Sequence, residues 1–390
     1  MTLSALELSV MMLALAVLAL ILTQRLRLPG VIGYLSLGLI MGPSGLKMIH
    51  DTVELDLLAE MGVVFLLFAI GLEVSLRQII RMRRWVFLLG GTQVFLCILI
   101  PGITAYFLGM SLITGFVAAA AISLSSTAIV IKQLAEQKKL ITKHGEISLA
   151  MLLFQDLAAI PFLIIIPLLG GTAMGMAHDL FFAFLKGMGA IVGLLVAGRY
   201  ILRPLFDEVA RWESDELFTL TTLLVAVATA WISDLLGLSM ALGAFMAGLI
   251  LGESHHRHQI QAYIRPFRDL LLGLFFVTIG MLLNIEMVIR YWYWVLFLVT
   301  AIVIFKSLVV TWVVRVLGGL SMNESIQTGL VMAHGGEFGF VLLSLAIQLR
   351  LMEPDYGQVV LAGVLITLFL CPFLIHHSAA LARRIVPSVN

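Results

Sequence analysis

The chain has 390 residues, of which 61% are hydrophobic and only 12% charged, with a net charge of +1 and a mean hydropathy of +1.09. A soluble domain carries roughly 25% charged residues, so an ordinary soluble globular protein is excluded, and the balanced charge gives no basis for binding nucleic acid. Cys97 and Cys371 both sit in apolar runs and form neither a disulfide framework nor a zinc motif.

A helix crosses the hydrocarbon layer with about 20 mainly apolar residues. Residues 5–23 are apolar for too long to be a secretory signal, no basic residue precedes them, and Glu7 stands where a signal would be positive, so they read as a first transmembrane helix. Further runs fall at 29–46, 57–74, 85–108, 111–134, 146–169, 179–200, 216–236, 238–252, 270–288, 292–317, 325–349 and 357–380. The expected protein is therefore an all-α polytopic membrane protein of about 13 transmembrane helices. Nineteen of the 24 Lys and Arg residues collect in alternate connections, from Arg25 and Arg27 to Arg383 and Arg384. Cytoplasmic loops hold the basic excess, which places the N-terminus outside and the C-terminus in the cytoplasm of a cell (inner or plasma) membrane.

The glycines carry a second pattern. Gly33, Gly38 and Gly42 of the second helix return as Gly243, Gly248 and Gly252 of the ninth, 210 residues on. The stretch Leu66 to Gly71 of the third helix returns as Phe275 to Gly280 in the tenth, at an offset of 209. An offset of seven helices reverses direction, so the chain reads as one transporter domain over residues 1–390. Two inverted six-helix repeats, about 1–170 and 216–380, are joined by a linker helix at about 179–200. In such folds interrupted helices at matching positions build the ion site near the midplane. The fifth helix holds the polar cluster Ser123-Leu124-Ser125-Ser126-Thr127, and adding 210 to Ser125 gives Gly335, within His334-Gly335-Gly336-Glu337-Phe338-Gly339 of the twelfth. Both halves are expected to break there, giving discontinuous crossing helices, because irregular backbone at this depth must be buried or line a wet cavity.

Charges inside the membrane mark function. Gln155-Asp156 sits mid-run in the sixth helix, where a carboxylate costs about 2.5–3.5 kcal/mol on insertion scales. An acid protonated in one state and ion-binding in another is the minimum chemistry for exchange. Lys306, deep in the eleventh helix, is the expected partner of Asp156 from depth and charge. Glu337 is expected to neutralise the N-terminal end of a half-helix, with a direct place in the cation path as its other role. His334 reads as a hydrogen-bonded packing histidine, with proton carriage as the second reading. His255, His256 and His258 read as a basic, pH-sensitive cytoplasmic loop and not a metal site. Phosphate-cradling loops, nucleophile elbows and resident-cofactor motifs are absent from the sequence, so neither an enzyme nor a cofactor is expected. A channel, which builds its filter from carbonyl rings around an axis, fits a single buried acid less well than an exchanger.

Gly71-Leu72-Glu73, Ser125-Ser126-Thr127-Ala128-Ile129, Phe154-Gln155-Asp156-Leu157-Ala158-Ala159-Ile160-Pro161 and Gly335-Gly336-Glu337-Phe338-Gly339 together resemble the monovalent cation:proton antiporter family of Kef-type potassium efflux systems. The resemblance covers nearly the whole chain. It implies a sodium/proton antiporter-like fold and a homodimer in membrane lipid, with a core domain that moves in an elevator-like way against a dimerisation domain. It also implies exchange of K+, with Na+ as the alternative, for H+. Asp156 would be the shared cation/proton carboxylate, with Gln155, Ser125, Ser126 and Thr127 around the cation. Lys306 would match the family's membrane lysine that pairs with the acid. Apart from the resemblance, His334, Gly335, Gly336 and Glu337 at the twelfth-helix break are expected to support that site. Kef systems continue into a cytoplasmic nucleotide-binding domain. None follows the thirteenth helix in this chain, so a separate or truncated cytoplasmic regulatory domain is the expectation. The stretch Gln259 to Phe267 lacks the acidic run that precedes Ile-x-Pro-Phe in Kef gating loops.

Overall fold

A computed structural model describes residues 5–26, 29–47, 53–73, 76–169, 189, 193, 196, 198–236 and 239–386. The described elements are helical. In chain order they begin α1 (Ala5–Arg25), α2 (Gly30–Met41), α3 (Val53–Glu73) and α4 (Leu76–Arg81). A π-helical turn (Arg84–Gly90) leads into α5 (Gly91–Phe107), followed by α6 (Leu112–Ser123), α7 (Thr127–Glu136) and α8 (Lys143–Leu168). After a second π-helical turn (Gly198–Leu202) come α9 (Arg203–Arg211), α10 (Asp215–Leu235), α11 (Met240–Gly252) and α12 (Arg257–Leu282). The chain closes with α13 (Ile285–Arg290), α14 (Trp292–Val316), α15 (Met322–Val331), α16 (Glu337–Gln348) and α17 (Pro354–Ile385).

Among the described residues, six spans are long and apolar enough to cross a membrane: 84–107, 112–136, 143–168, 215–235, 292–316 and 354–385. Their outward faces carry large apolar side chains such as Phe95, Leu224, Leu308 and Trp312. That surface suits lipid contact and would be a liability in water. Trp292, Tyr293 and Trp294 cluster at the start of α14, a position where aromatic rings anchor a helix at the headgroup level. Helix starts are set by local chemistry. Ser111, Thr142, Ser214, Ser239 and Ser321 each accept a hydrogen bond from the backbone N–H three residues on, satisfying donors that a helix N-terminus leaves open. Ser321 and Glu324 form a reciprocal capping box.

Most spans lie within a few residues of their expected positions, with two exceptions. The expected linker helix at 179–200 falls, apart from isolated positions and its end, outside the described residues. The tenth span was expected from 270, but α12 begins at Arg257 and runs through Arg265 and Pro266. Its first three turns are polar enough to end an apolar run while remaining helical, so the stretch Gln259–Phe267 is helix and not loop. His258 belongs to this helix, and His256 lies at its N-terminus with its Nε2 3.0 Å from Asp207 Oδ1.

The chain divides into two compact units, residues 1–75 with 184–286 and residues 76–183 with 287–390. Each takes about half of each sequence repeat. In the first unit the glycine pattern acquires a physical meaning. An added Cβ at Gly38 of α2 would lie 1.9 Å from Val277 O of α12, and one at Gly280 would lie 2.2 Å from Leu35 O. In the other crossing, a Cβ at Gly248 of α11 would lie 2.1 Å from Phe68 O of α3, and one at Gly71 would lie 2.3 Å from Phe245 O. The same backbone-to-backbone crossing is thus made twice, with every participant displaced by 209 or 210 residues. Small residues permit this approach. A core that includes Phe65, Phe68, Phe206, Phe218, Leu251 and Ile260 packs beside the second crossing, and Leu37, Met41, Val277 and Met281 pack together beside the first. Gly248→Ala is expected to lower thermal stability in detergent by about 1–3 kcal/mol, the usual cost of overpacking. Gly102→Ala, where an added Cβ meets nothing within 4 Å, should be neutral.

Candidate functional site: two helix breaks and a buried carboxylate

The second unit holds every residue singled out as a site candidate. Helix α6 ends at Ser123, Leu124 and Ser126 are extended, and α7 restarts at Thr127. The Ser126 hydroxyl caps the new helix by accepting from Ile129 N at 3.4 Å. The matching interruption separates α15, which ends at Val331, from α16, which starts at Glu337 behind an extended Gly336. Both expected breaks are present, and they touch. A Cβ on Gly336 would lie 2.6 Å from Ser125 C, and one on Gly339 would lie 2.7 Å from Ala121 O. The Ser125 hydroxyl donates to Met332 O at 3.0 Å, and Ser126 N donates to His334 Nε2 at 3.2 Å. Gly335 N is taken up by Thr367 Oγ1 of α17 at 3.1 Å.

Asp156 is 4% exposed on α8 and accepts a 2.9 Å hydrogen bond from the Thr127 hydroxyl. It therefore lies at the N-terminal end of α7, where the helix dipole favours negative charge. Its neighbour Gln155, 1% exposed, accepts from Ser125 N at 2.7 Å through Oε1. Glu337 occupies the first turn of α16, the place expected for an acid that offsets a half-helix N-terminus. His334 is fully buried; its Nε2 accepts from Ser126 N, so a neutral imidazole carries its hydrogen on Nδ1, which has no hydrogen-bond partner among the described residues.

Lys306 departs from expectation. It is 0% exposed, and its ammonium donates to Ile122 O at 2.8 Å, Leu124 O at 3.1 Å, His334 O at 2.6 Å and Ser125 Oγ at 3.0 Å. The Asp156 carboxylate is not among these acceptors. Opposite charge and equal depth had suggested the pair. The structure shows a different demand: each break strips carbonyls of their helical donors, and buried polar groups without partners are costly. Lys306 meets that demand at both breaks at once and bridges them.

Sequence reasoning missed Gln93, which is 0% exposed in the first turn of α5 and donates to Ser123 O at 3.1 Å while accepting from Gln155 Nε2 at 2.6 Å. Its signal in the sequence is a lone amide in an apolar run, which carries no formal charge to mark it. Among the described residues no group of three His, Cys, Asp or Glu side chains is placed to hold a metal ion.

A polytopic membrane protein in which two broken helices touch beside a buried carboxylate has the architecture of a secondary transporter with discontinuous helices. The chain belongs to the sodium/hydrogen exchanger family: that family's transmembrane profile, described as "Sodium/hydrogen exchanger, transmembrane", matches residues 12–379. It is 40% identical over 364 residues to a putative K(+) efflux antiporter, KefB, of Alkalimonas amylolytica. The match takes in 93% of this chain and 55% of that protein, so the chain spans about half the length of this curated relative. The fold is similar to that of the sodium proton antiporter MjNhaP1 from Methanocaldococcus jannaschii. The structure of that protein at pH 8 is matched at a TM-score of 0.71 and 18% identity, covering 97% of this chain and 99% of that one. An electron-microscopy structure of the same protein matches at a TM-score of 0.68 and 16% identity, covering 98% and 99%.

Proposed function

We propose that this chain exchanges a monovalent cation for H+ by alternating access, with K+ as the preferred cation and Asp156 as the carboxylate that binds cation and proton in turn. The observation that carries the proposal is the placement of Asp156: buried, hydrogen-bonded to Thr127, and set at the start of α7 beside the crossed breaks. A carboxylate there is neutral when protonated. When ionised it is supported by the Thr127 hydroxyl and the α7 N-terminus, and a cation completes its neutralisation. One acid serving two ligands makes their binding mutually exclusive, which is the requirement for exchange. Thr127 supplies a further oxygen to the cation, while Gln155, Ser125 and Ser126 hold the break that shapes the site. Gln155 in place of a second acid makes the site less charged, which favours the weakly hydrated K+.

The name of the Alkalimonas relative supports K+; the family description and MjNhaP1 support Na+ as the second reading. The basic excess in alternate loops supports an outside N-terminus and a cytoplasmic C-terminus. A homodimer, and a cytoplasmic regulatory domain on the same or a separate chain, complete the proposed assembly. The test is flux in liposomes that carry an inward-acidic pH gradient and a pH-sensitive dye, with K+, Na+ and Li+ added separately. Dissipation by K+ alone is the expected result. Dissipation by Na+ as well or better reassigns the cation, and no response to any cation overturns the proposal.

A further inference from the structure

Gln93 and Gln155 form two amides in series across one helix break. At one end Gln93 Nε2 donates to Ser123 O at 3.1 Å; in the middle Gln155 Nε2 donates to Gln93 Oε1 at 2.6 Å; at the other end Ser125 N donates to Gln155 Oε1 at 2.7 Å. The direction of this chain is fixed from both ends. A backbone carbonyl only accepts and a backbone N–H only donates. The nitrogen of Gln93 must therefore face Ser123 and the oxygen of Gln155 must face Ser125. The central bond then has a single arrangement. Two backbone groups that the break deprives of helical partners are satisfied by one relay. Helix α5 comes close enough to α8 to deliver it, because an added Cβ at Gly90 would lie only 2.4 Å from Phe154 Cβ, one residue before Gln155. Gly90 ends the π-helical turn that feeds α5, and such turns re-aim a helix face.

We infer that Gln93 is a positioning residue: its amide fixes the orientation of Gln155, and the two together hold the α6–α7 break in the shape that sets the Thr127 hydroxyl against Asp156. The inference rests on the exchange reading for its consequence in transport, though not for its structural content. Nothing requires Gln93 to touch the cation. It acts through Gln155 and the backbone of Ser123 and Ser125.

Two variants separate this role from packing. Gln93→Met keeps length and volume and removes both hydrogen bonds. Hydrogen–deuterium exchange of the peptide covering Leu124 to Thr127 should quicken roughly tenfold in purified Gln93→Met, the effect of losing one buried hydrogen bond. The apparent KM for the cation should rise. Gln93→Glu restores the relay only when its carboxyl is protonated, because a proton is needed to donate to Ser123 O. Its cation/proton flux should therefore approach wild type at acid pH and fall as pH rises through the titration of the introduced carboxyl, on top of the pH dependence that Asp156 gives wild type.

If Gln93→Met matches wild type in both amide exchange and KM, Gln93 is packing and the inference is overturned. If Gln93→Met does not fold, Gln93→Glu decides, and a pH profile identical to wild type overturns the inference equally. Amide exchange needs no transport. An inert wild type with a quickened Gln93→Met peptide would sink the exchange proposal and leave the relay standing. An active wild type with unmoved variants would do the reverse.

Discussion

Asp156→Asn is expected to abolish cation-driven proton movement, reducing the dye response in liposomes to that of protein-free vesicles for every cation tested. The substitution keeps shape and the acceptor for Thr127, whose hydroxyl bonds Oδ1 at 2.9 Å. It removes the one property that the proposed cycle needs, a proton that is released to admit a cation. Stability gives the second half of the prediction. If Asp156 and Lys306 were a buried ion pair, removing the acid would strand a buried cation, a loss of about 3–5 kcal/mol. Lys306 instead has four oxygen acceptors outside Asp156, so the Asn variant should melt at or above the wild-type temperature in detergent. An inactive variant with wild-type stability is the expected combination. Retained flux would remove Asp156 from its role, and a large fall in melting temperature would restore the ion pair.

Lys306→Met should show the opposite profile in stability. The methionine fills most of the lysine's volume and offers no donor. Three carbonyls and one hydroxyl at the crossing, held by an ammonium with at most three hydrogens, would then lose that partner. Leaving a buried acceptor unsatisfied costs about 1–3 kcal/mol, so the variant should lose at least about 3 kcal/mol, seen as a lowered apparent Tm. Transport should fall with it, since the bridge between the breaks is gone. A Lys306→Met protein as stable as wild type would show that water or another group takes over the acceptors, and Lys306 would cease to be the pin of the crossing.

These two residues also show how far the sequence could be read. Depth in an apolar run marked both as costly and therefore purposeful, and that inference needed only hydropathy. Their partnership was misread because charge is a property of a residue, whereas hydrogen-bond demand is created by backbone geometry elsewhere. The carbonyls of Ile122, Leu124 and His334 become acceptors in need only once α6 and α15 stop. Gln93 was overlooked for the same reason: an uncharged amide looks unremarkable in α5 until Ser123 O and Ser125 N are seen facing it through Gln155. The start of α12 was misplaced because hydropathy reports where lipid begins and not where a helix begins.

By itself the sequence determined the membrane class, the approximate positions of most spans and the two interruptions. These follow from the energetics of a chain in hydrocarbon, which are written residue by residue. The repeat was legible too, since a backbone crossing that only glycine permits leaves glycine at both copies. The tertiary structure decided which repeated elements share a unit. It brought Gly336 against Ser125, directed Lys306 to the freed carbonyls, and threaded a two-amide relay to the residue beside Asp156. Those features depend on distances between groups up to 211 residues apart in sequence, and only the packed chain sets them.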